Sequence, residues 1–274
     1  MVLALRPNQF RIQHVREIGQ GGLGRVDEVE VVATTCEKTV GSRWARKRMN
    51  ESWTSEHLQR FEREIAALKA MRHAHIVSFE GENVPENRER FYVMPLYPDT
   101  LRHRLSRHGA YAWHEIAHFG ATIAHGLAYA HGKGLVHRDL KPENVLLTEN
   151  GEPVIADWGL GYFVHQHSKV LRGLTRGGMG TEYYCSSEQW STGKCGPEGD
   201  VYSLGMVLAE IVEGRQRDLL AVGWGVDSDV TAPTSAGARH FNALVRSMTA
   251  ATATRRLSSM TAVASNLMEC VRLG

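Results

Sequence analysis

The sequence predicts an α+β chain in two parts: a small antiparallel, strand-rich portion over roughly the first 95 residues, then a larger, mainly helical one. Three observations carry that expectation. A β-branched run, Val26, Val29, Val31 and Val32, follows directly on a cluster of glycines. The compact apolar run Phe91-Tyr92-Val93-Met94 stops at Pro95 and Pro98. Beyond Pro98, apolar residues recur at helical rather than alternating spacing.

Element by element, Phe10 to about Val32 reads as strand, glycine-rich turn, strand. Residues 54–71 read as an amphipathic helix, capped by Thr54 or Ser55, with Leu58, Phe61, Ile65, Leu68 and Met71 on one face. Phe91–Met94 is a buried strand. Further helices are expected at about 113–131, 200–213, 241–250 and 259–271. The two parts join near Pro95–Asp99.

Composition narrows the function classes. The chain has 274 residues and 30.5 kDa, with 32 Lys and Arg against 30 Asp and Glu, a net charge of +2. Such balance disfavours attachment to nucleic acid by counterion release. No apolar stretch approaches a membrane span, and the run after Met1 is too short for a secretory signal. Cys36, Cys185, Cys195 and Cys270 are scattered, which suits a reducing, cytoplasmic setting and disfavours a cysteine zinc site.

The densest glycine cluster near the N-terminus is Gly19-Gln20-Gly21-Gly22-Leu23-Gly24, followed by Arg25-Val26. Glycines let backbone N–H groups come close to phosphate oxygens. A dinucleotide fold would open a helix here and place an acidic residue about 20 positions on. A strand-like run follows instead. That favours a glycine-rich hairpin over a nucleotide, although a plain glycine turn satisfies the same letters.

The segment His137-Arg138-Asp139-Leu140-Lys141-Pro142-Glu143-Asn144-Val145-Leu146-Leu147 is followed, thirteen residues after Asn144, by Asp157-Trp158-Gly159. On these residues the chain closely resembles the eukaryotic-type (Hanks-type) serine/threonine protein kinases, from about Gln13 to Val271. The resemblance implies a bilobal protein-kinase-like fold. A β-rich N-lobe with one regulatory helix would span about 13–94, a hinge about 95–99 and a mainly α-helical C-lobe about 100–271, after a short extension of residues 1–12.

It also implies ATP as donor with Mg²⁺, for which Mn²⁺ is a substitute, and Ser/Thr hydroxyls of proteins as acceptors. Asp139 would orient the acceptor hydroxyl and take its proton, and Lys141 would touch the γ-phosphate. Asn144 and Asp157 would be the metal ligands. In Ala45-Arg46-Lys47, Lys47 matches the lysine that binds the α- and β-phosphates, with Glu64 as its partner on the following helix. Glu62 and Lys69 would be that helix's solvent-facing charges. Met94 falls at the gatekeeper position. The Pro95 carbonyl and the Tyr97 N–H fall at the hinge, and Val26, Ala45 and Leu146 would flank the adenine. Leu68, His137 and Trp158 would stack in the core.

The stretch Asp157–Glu188 resembles an activation segment, with Gly180-Thr181-Glu182-Tyr183-Tyr184-Cys185-Ser186-Ser187-Glu188 matching the family's substrate-facing end. Thr181 would bond to the catalytic aspartate, Glu188 would pair with Arg256, and Asp200 would brace the catalytic loop. Arg138, before Asp139, goes with control by phosphorylation of the segment, for which Thr175 leads and Ser168 follows. A homodimer modifying itself in trans is the implied partner arrangement. Three departures stand out, whose effects the sequence does not decide: Ser186-Ser187 in place of Ala-Pro, which keeps Glu188 but puts the firmness of its anchor in question; Trp158 in place of Phe; and Pro95 at the hinge. Residues 214–240 match no pattern.

Two other readings compete. His114-Glu115-Ile116-Ala117-His118 has the letters of a zinc protease helix, with Gly120 and His125 each one place out of the longer register. A pseudokinase scaffold would lack the lysine or one of the two aspartates, and all three are present as Lys47, Asp139 and Asp157. A related small-molecule phosphotransferase shares the aspartate–asparagine loop but not the Lys141-Pro142-Glu143 and Gly180–Glu188 matches.

Overall fold

The computed structural model describes residues 9–20, 24–49, 54–82, 90–160, 162–163, 183–193, 195–216 and 225–274. The chain divides into two compact units. One comprises residues up to Arg72 with Val77–Tyr97, the other His73–Ile76 with Pro98–Gly274.

The first unit is a five-stranded antiparallel sheet in the order β1-β2-β3-β5-β4, formed by β1 (Phe10–Gln20), β2 (Gly24–Thr34), β3 (Arg43–Met49), β4 (Gly81–Glu82) and β5 (Phe91–Pro95). β1 and β2 flank the glycine cluster as the alternation predicts. Their register shifts at Arg11/Ile12, His14/Arg16 and Glu17/Gly19, bulges that twist and bend the hairpin. Val29 and Val31 are sealed in the core, while Val32 is partly exposed. Helix α1 (Ser55–Ala70) starts where the sequence places it: the His57 N–H donates to Thr54 Oγ1 at 3.3 Å and the Thr54 N–H to His57 Nδ1 at 3.2 Å, a reciprocal cap. Its buried face is Phe61, Glu64, Ile65 and Leu68.

The second unit is built on helices. They are α2 (Leu101–His108), α3 (Trp113–Gly132), α4 (Ser187–Thr192), α5 (Pro197–Glu213), α6 (Ala236–Met248) and α7 (Met260–Leu273), with short strands β6 (Asp99–Thr100), β7 (Leu135–Val136), β8 (Val145–Leu147), β9 (Pro153–Ile155) and β10 (Tyr162–Phe163). β6-β8-β9 form one small sheet and β10-β7 another. α3 approaches its neighbours closely at Gly120, where an added Cβ would lie 2.7 Å from a Leu208 methyl and 3.2 Å from one of Leu267. α2 escaped the sequence reading because its only buried apolar residues are Leu101 and Leu105 among three arginines and two histidines. α5 begins three residues earlier than expected, with Pro197 in the first turn, where its missing N–H costs nothing.

His73–Ile76 belongs with the helical unit. The Ile155 N–H donates to the His75 carbonyl at 2.9 Å, His75 Nδ1 donates to the Pro153 carbonyl at 3.2 Å, and Ile76 bridges Ile155. Among the described residues no helix is long and apolar enough to cross a membrane.

Candidate active site

In the sheet unit, strand alternation puts Ala45, Lys47 and Met49 on the buried side of β3 and Arg46 and Arg48 on the other. The two arginines donate to the buried Asp27 of β2 at 2.7 Å each. Lys47, only 8% exposed, donates to both oxygens of Glu64, at 2.7 and 2.9 Å. Tyr92, opposite Lys47 in the ladder, donates its hydroxyl to Glu64 Oε1 at 2.9 Å. The expected lysine–glutamate pair is therefore formed. It sits where desolvation makes a lone charge costly. Glu62 and Lys69 are solvent-facing as expected but paired, with Arg90 and Glu82 respectively.

The glycine cluster resolves into different cases. A Cβ on Gly24 would lie 2.3 Å from the Arg48 carbonyl oxygen, so glycine is required there by the packing of β2 on β3. Gly19 faces open space, and Gln20 ends β1 exposed. Gly21, Gly22 and Leu23 lie outside the described residues. Val26 pairs with Lys47 across the ladder and Ala45 with Met94, and Pro95 ends β5 opposite Trp44. Burial and the charge of Glu80 hold the Tyr97 phenol above its ordinary value.

In the helical unit, Asp139, Lys141 and Asn144 come together. Lys141 Nζ donates to Asp139 Oδ2 at 2.9 Å, and Asn144 Nδ2 donates to the Asp139 carbonyl at 2.8 Å and to Oδ2 at 3.2 Å. A single turn, Pro142–Asn144, carries the asparagine back towards the aspartate. The loop is held from behind by Asp200, a fully buried carboxylate that accepts from the His137 and Arg138 N–H groups and from His131 Nε2, each at 2.8 Å. Burial alone would raise the Asp200 carboxyl. The His131 hydrogen bond and charge, the nearby His137 and the Arg138 amide outweigh it and keep the group below its ordinary value.

His137 accepts the Asp139 N–H at Nδ1 (3.2 Å) and donates from Nε2 to the Ala156 carbonyl (2.9 Å). Its ring meets Trp158 edge-on at 4.6 Å, two members of the expected core stack. The Ala156 N–H donates to the Asn144 carbonyl at 2.9 Å, which fixes Asp157 one residue beyond the asparagine's backbone partner. Arg138 and Asp157 are the described non-glycine residues with positive φ, 70° and 62°. Arg138 precedes one of the two carboxylates that the sequence singles out, Asp139, and Asp157 is the other, as strained positions at working sites tend to be.

The expected contact between Glu188 and Arg256 is also formed. Arg256 clasps Glu188 through two bonds, 2.6 and 3.0 Å. Ser186 and Ser187 do not loosen it: Ser186 Oγ donates to Glu188 at 2.6 Å and Ser187 Oγ to the Ala251 carbonyl at 3.0 Å, donors that the Ala-Pro pair would lack. Burial would raise Glu188, but Arg256 and Ser186 bring its carboxyl below the ordinary value. Arg138 is buried, with Nη2 donating to the Gly193 carbonyl and its own carbonyl accepting Gln189 Nε2 at 2.7 Å. Thr175, Ser168 and Thr181 lie outside the described residues. His114, Glu115 and His118 sit on the solvent side of α3, and no group of three or more His, Cys, Asp or Glu side chains is placed to hold a metal among the described residues.

Sequence reasoning missed Arg102 and Glu210, the partners of Tyr184, which it quoted only as a member of the Gly180–Glu188 match, and the His131 bond to Asp200. No local pattern brings Arg102, Tyr184 and Glu210 together: they lie 26 to 108 residues apart in the chain.

A catalytic-type loop braced by a buried aspartate, with a lysine–glutamate pair on a five-stranded sheet, defines the class of protein. A family model for the protein kinase domain matches residues 12–268, and the chain belongs to that family. It is 32% identical over 216 residues to the serine/threonine-protein kinase PknL of Mycobacterium tuberculosis, covering 77% of this chain and 51% of that protein. It is 32% identical to the serine/threonine-protein kinase PknK of Mycobacterium bovis, over 74% of this chain and 18% of that one. Against the mitogen-activated protein kinase HOG1 of Debaryomyces hansenii the identity is 29%, over 75% and 50% of the two chains. The chain thus spans about half the length of PknL, or less of PknK.

Proposed function

We propose that this chain transfers the γ-phosphoryl group of ATP to Ser and Thr hydroxyls of proteins. The observation that carries the reading is the convergence of Lys141 Nζ and Asn144 Nδ2 on Asp139 Oδ2. A carboxylate so held can orient an acceptor hydroxyl and take its proton, while the lysine beside it meets the charge of the transferring group. Phosphoryl transfer asks a protein mainly for positioning and charge neutralisation. Lys47, fixed by Glu64, supplies a cation for the α- and β-phosphates, and Val26, Ala45, Met94, Pro95 and Tyr97 are the sheet unit's candidates for adenine.

The residues fit a hard divalent cation. Asn144 spends its Nδ2 on Asp139, and no described protein donor reaches its Oδ1; Asp157 adds a carboxylate. Oxygens of this kind are what Mg²⁺ prefers. When bound, the metal neutralises phosphate charge. The reading extends to autophosphorylation at Thr175 or Ser168 within a homodimer, and to a cytoplasmic setting that the free cysteines suit.

The test is incubation with labelled ATP, Mg²⁺ and a generic protein acceptor, beside Asp139→Asn. Wild type should label the acceptor at least about a hundredfold faster, and phosphosite mapping should find Thr175 or Ser168 modified. Equal labelling by both proteins sinks the assignment.

A further inference from the structure

Arg102, the second residue of α2, uses each nitrogen of its guanidinium on a different, distant segment. Nε donates to Glu143 Oε1 at 2.8 Å, Nη1 to Glu210 Oε1, and Nη2 to the Tyr184 hydroxyl at 2.6 Å. The tyrosine hydroxyl donates in turn to Glu210 Oε2, and Gln216 Nε2 reaches the same hydroxyl at 3.2 Å. The partners lie 41, 108 and 82 residues from Arg102. Glu210 is nearly sealed on α5 and needs a compensating cation; Glu143 is half exposed and needs none. Burial disfavours the charge on Arg102, but the bonds to Glu210 and Glu143 outweigh it and raise its basicity. Burial and the Glu210 charge likewise keep the Tyr184 phenol protonated, so it remains a donor.

The two ends of this clamp are not arbitrary. Glu143 sits between Lys141 and Asn144, both bonded to Asp139. Tyr184 sits four residues before Glu188, in the segment assigned to the protein acceptor. A planar fork can hold three partners in one geometry; a lysine ammonium is a single point charge on a flexible stem.

We propose that Arg102 is a positioning residue for phosphoryl transfer, holding the Tyr184 segment in register with the Lys141–Asn144 turn so that an acceptor hydroxyl arrives at Asp139. This rests on the kinase reading above. Its charge role towards Glu210 and its tether to Glu143 are separable. Arg102→Lys keeps a cation beside Glu210 but cannot span the three partners. The double variant Arg102→Met, Glu210→Leu removes the clamp without leaving a buried carboxylate unpaired, which guards against simple failure to fold.

Both variants are compared with wild type in two measurements. In hydrogen exchange, the amides of residues 143–147 and 183–189 should exchange faster together in the double variant, and α3 should keep its protection. In steady-state kinetics, KM for the protein acceptor should rise about tenfold or more in both variants, with KM for ATP unchanged within about twofold. Arg102→Lys should recover the thermal midpoint and not the acceptor KM. Full recovery of the acceptor KM by lysine would reduce Arg102 to charge compensation and overturn the proposal. Unchanged exchange in the two segments overturns it whether or not the chain labels an acceptor. Coupled segments in a wild-type chain that labels nothing would instead overturn the kinase reading, and the role in transfer with it.

Discussion

Glu64 in the sheet unit is 1% exposed and Asp200 in the helical unit not at all, yet the two carboxylates are satisfied by different kinds of donor. Glu64 takes a lysine ammonium and a tyrosine hydroxyl, both at the ends of side chains. Asp200 takes two consecutive backbone N–H groups and a histidine held on α3. A side-chain donor can swing away while its backbone stays folded. A backbone donor cannot leave without its loop changing shape. The first arrangement suits a pair that is made and broken, the second a fixture. That is the division of labour the proposed function would use, the Lys47–Glu64 pair as a switch and the Asp139 loop as a fixture.

The sharpest way to break the comparison is Asp200→Ala. It strands two buried N–H groups and removes the partner of His131, so we expect a loss of about 3–5 kcal/mol in urea unfolding. A loss under about 1 kcal/mol would mean that the loop holds itself.

The next effect separates donor type from location. Glu188 lies in the helical unit but is held by side chains, those of Arg256 and Ser186. Its folded-state pKa is lowered from an ordinary 4.5. Its contribution is therefore complete above that ordinary value and disappears as the pH falls through the folded one. Glu188→Gln should cost about 1.5–3 kcal/mol at neutral pH, and the gap from wild type should be full above the ordinary carboxyl value and narrow steadily as the pH falls below it. A gap independent of pH would show that shape, not charge, fastens the anchor.

The smallest effect is expected from Tyr92→Phe, about 1 kcal/mol, because Lys47 still reaches both oxygens of Glu64. Phosphorylation rate should fall less than about tenfold. A loss as large as that of Lys47→Met would make the tyrosine an equal member of the pair.

What was legible in the sequence was contiguous or short-range. The Asp139–Lys141–Asn144 contacts lie within one short loop, and the pairing of Lys47 with Glu64 is what the resemblance to the protein kinases implies. Thr54 announced the start of α1 because capping is local chemistry. The Arg102 clamp was invisible because only the packing of α2, α5 and the loops brings its members together. The effect of Ser186 and Ser187 was undecidable for a related reason: their partners, Glu188 and the Ala251 carbonyl, appear only in three dimensions.

The positive φ of Arg138 and Asp157 bears on how far the His137–Leu147 stretch can be moved elsewhere. Neither residue favours that conformation unaided. One is held by Asp200, sixty-two positions on, while Ala156, next to the other, is tied to the Asn144 carbonyl. Grafted into a foreign scaffold, the eleven-residue stretch alone would relax to ordinary backbone geometry. The transplantable module is discontinuous: loop, the turn at Asp157, and the aspartate and histidine of two helices, carried together.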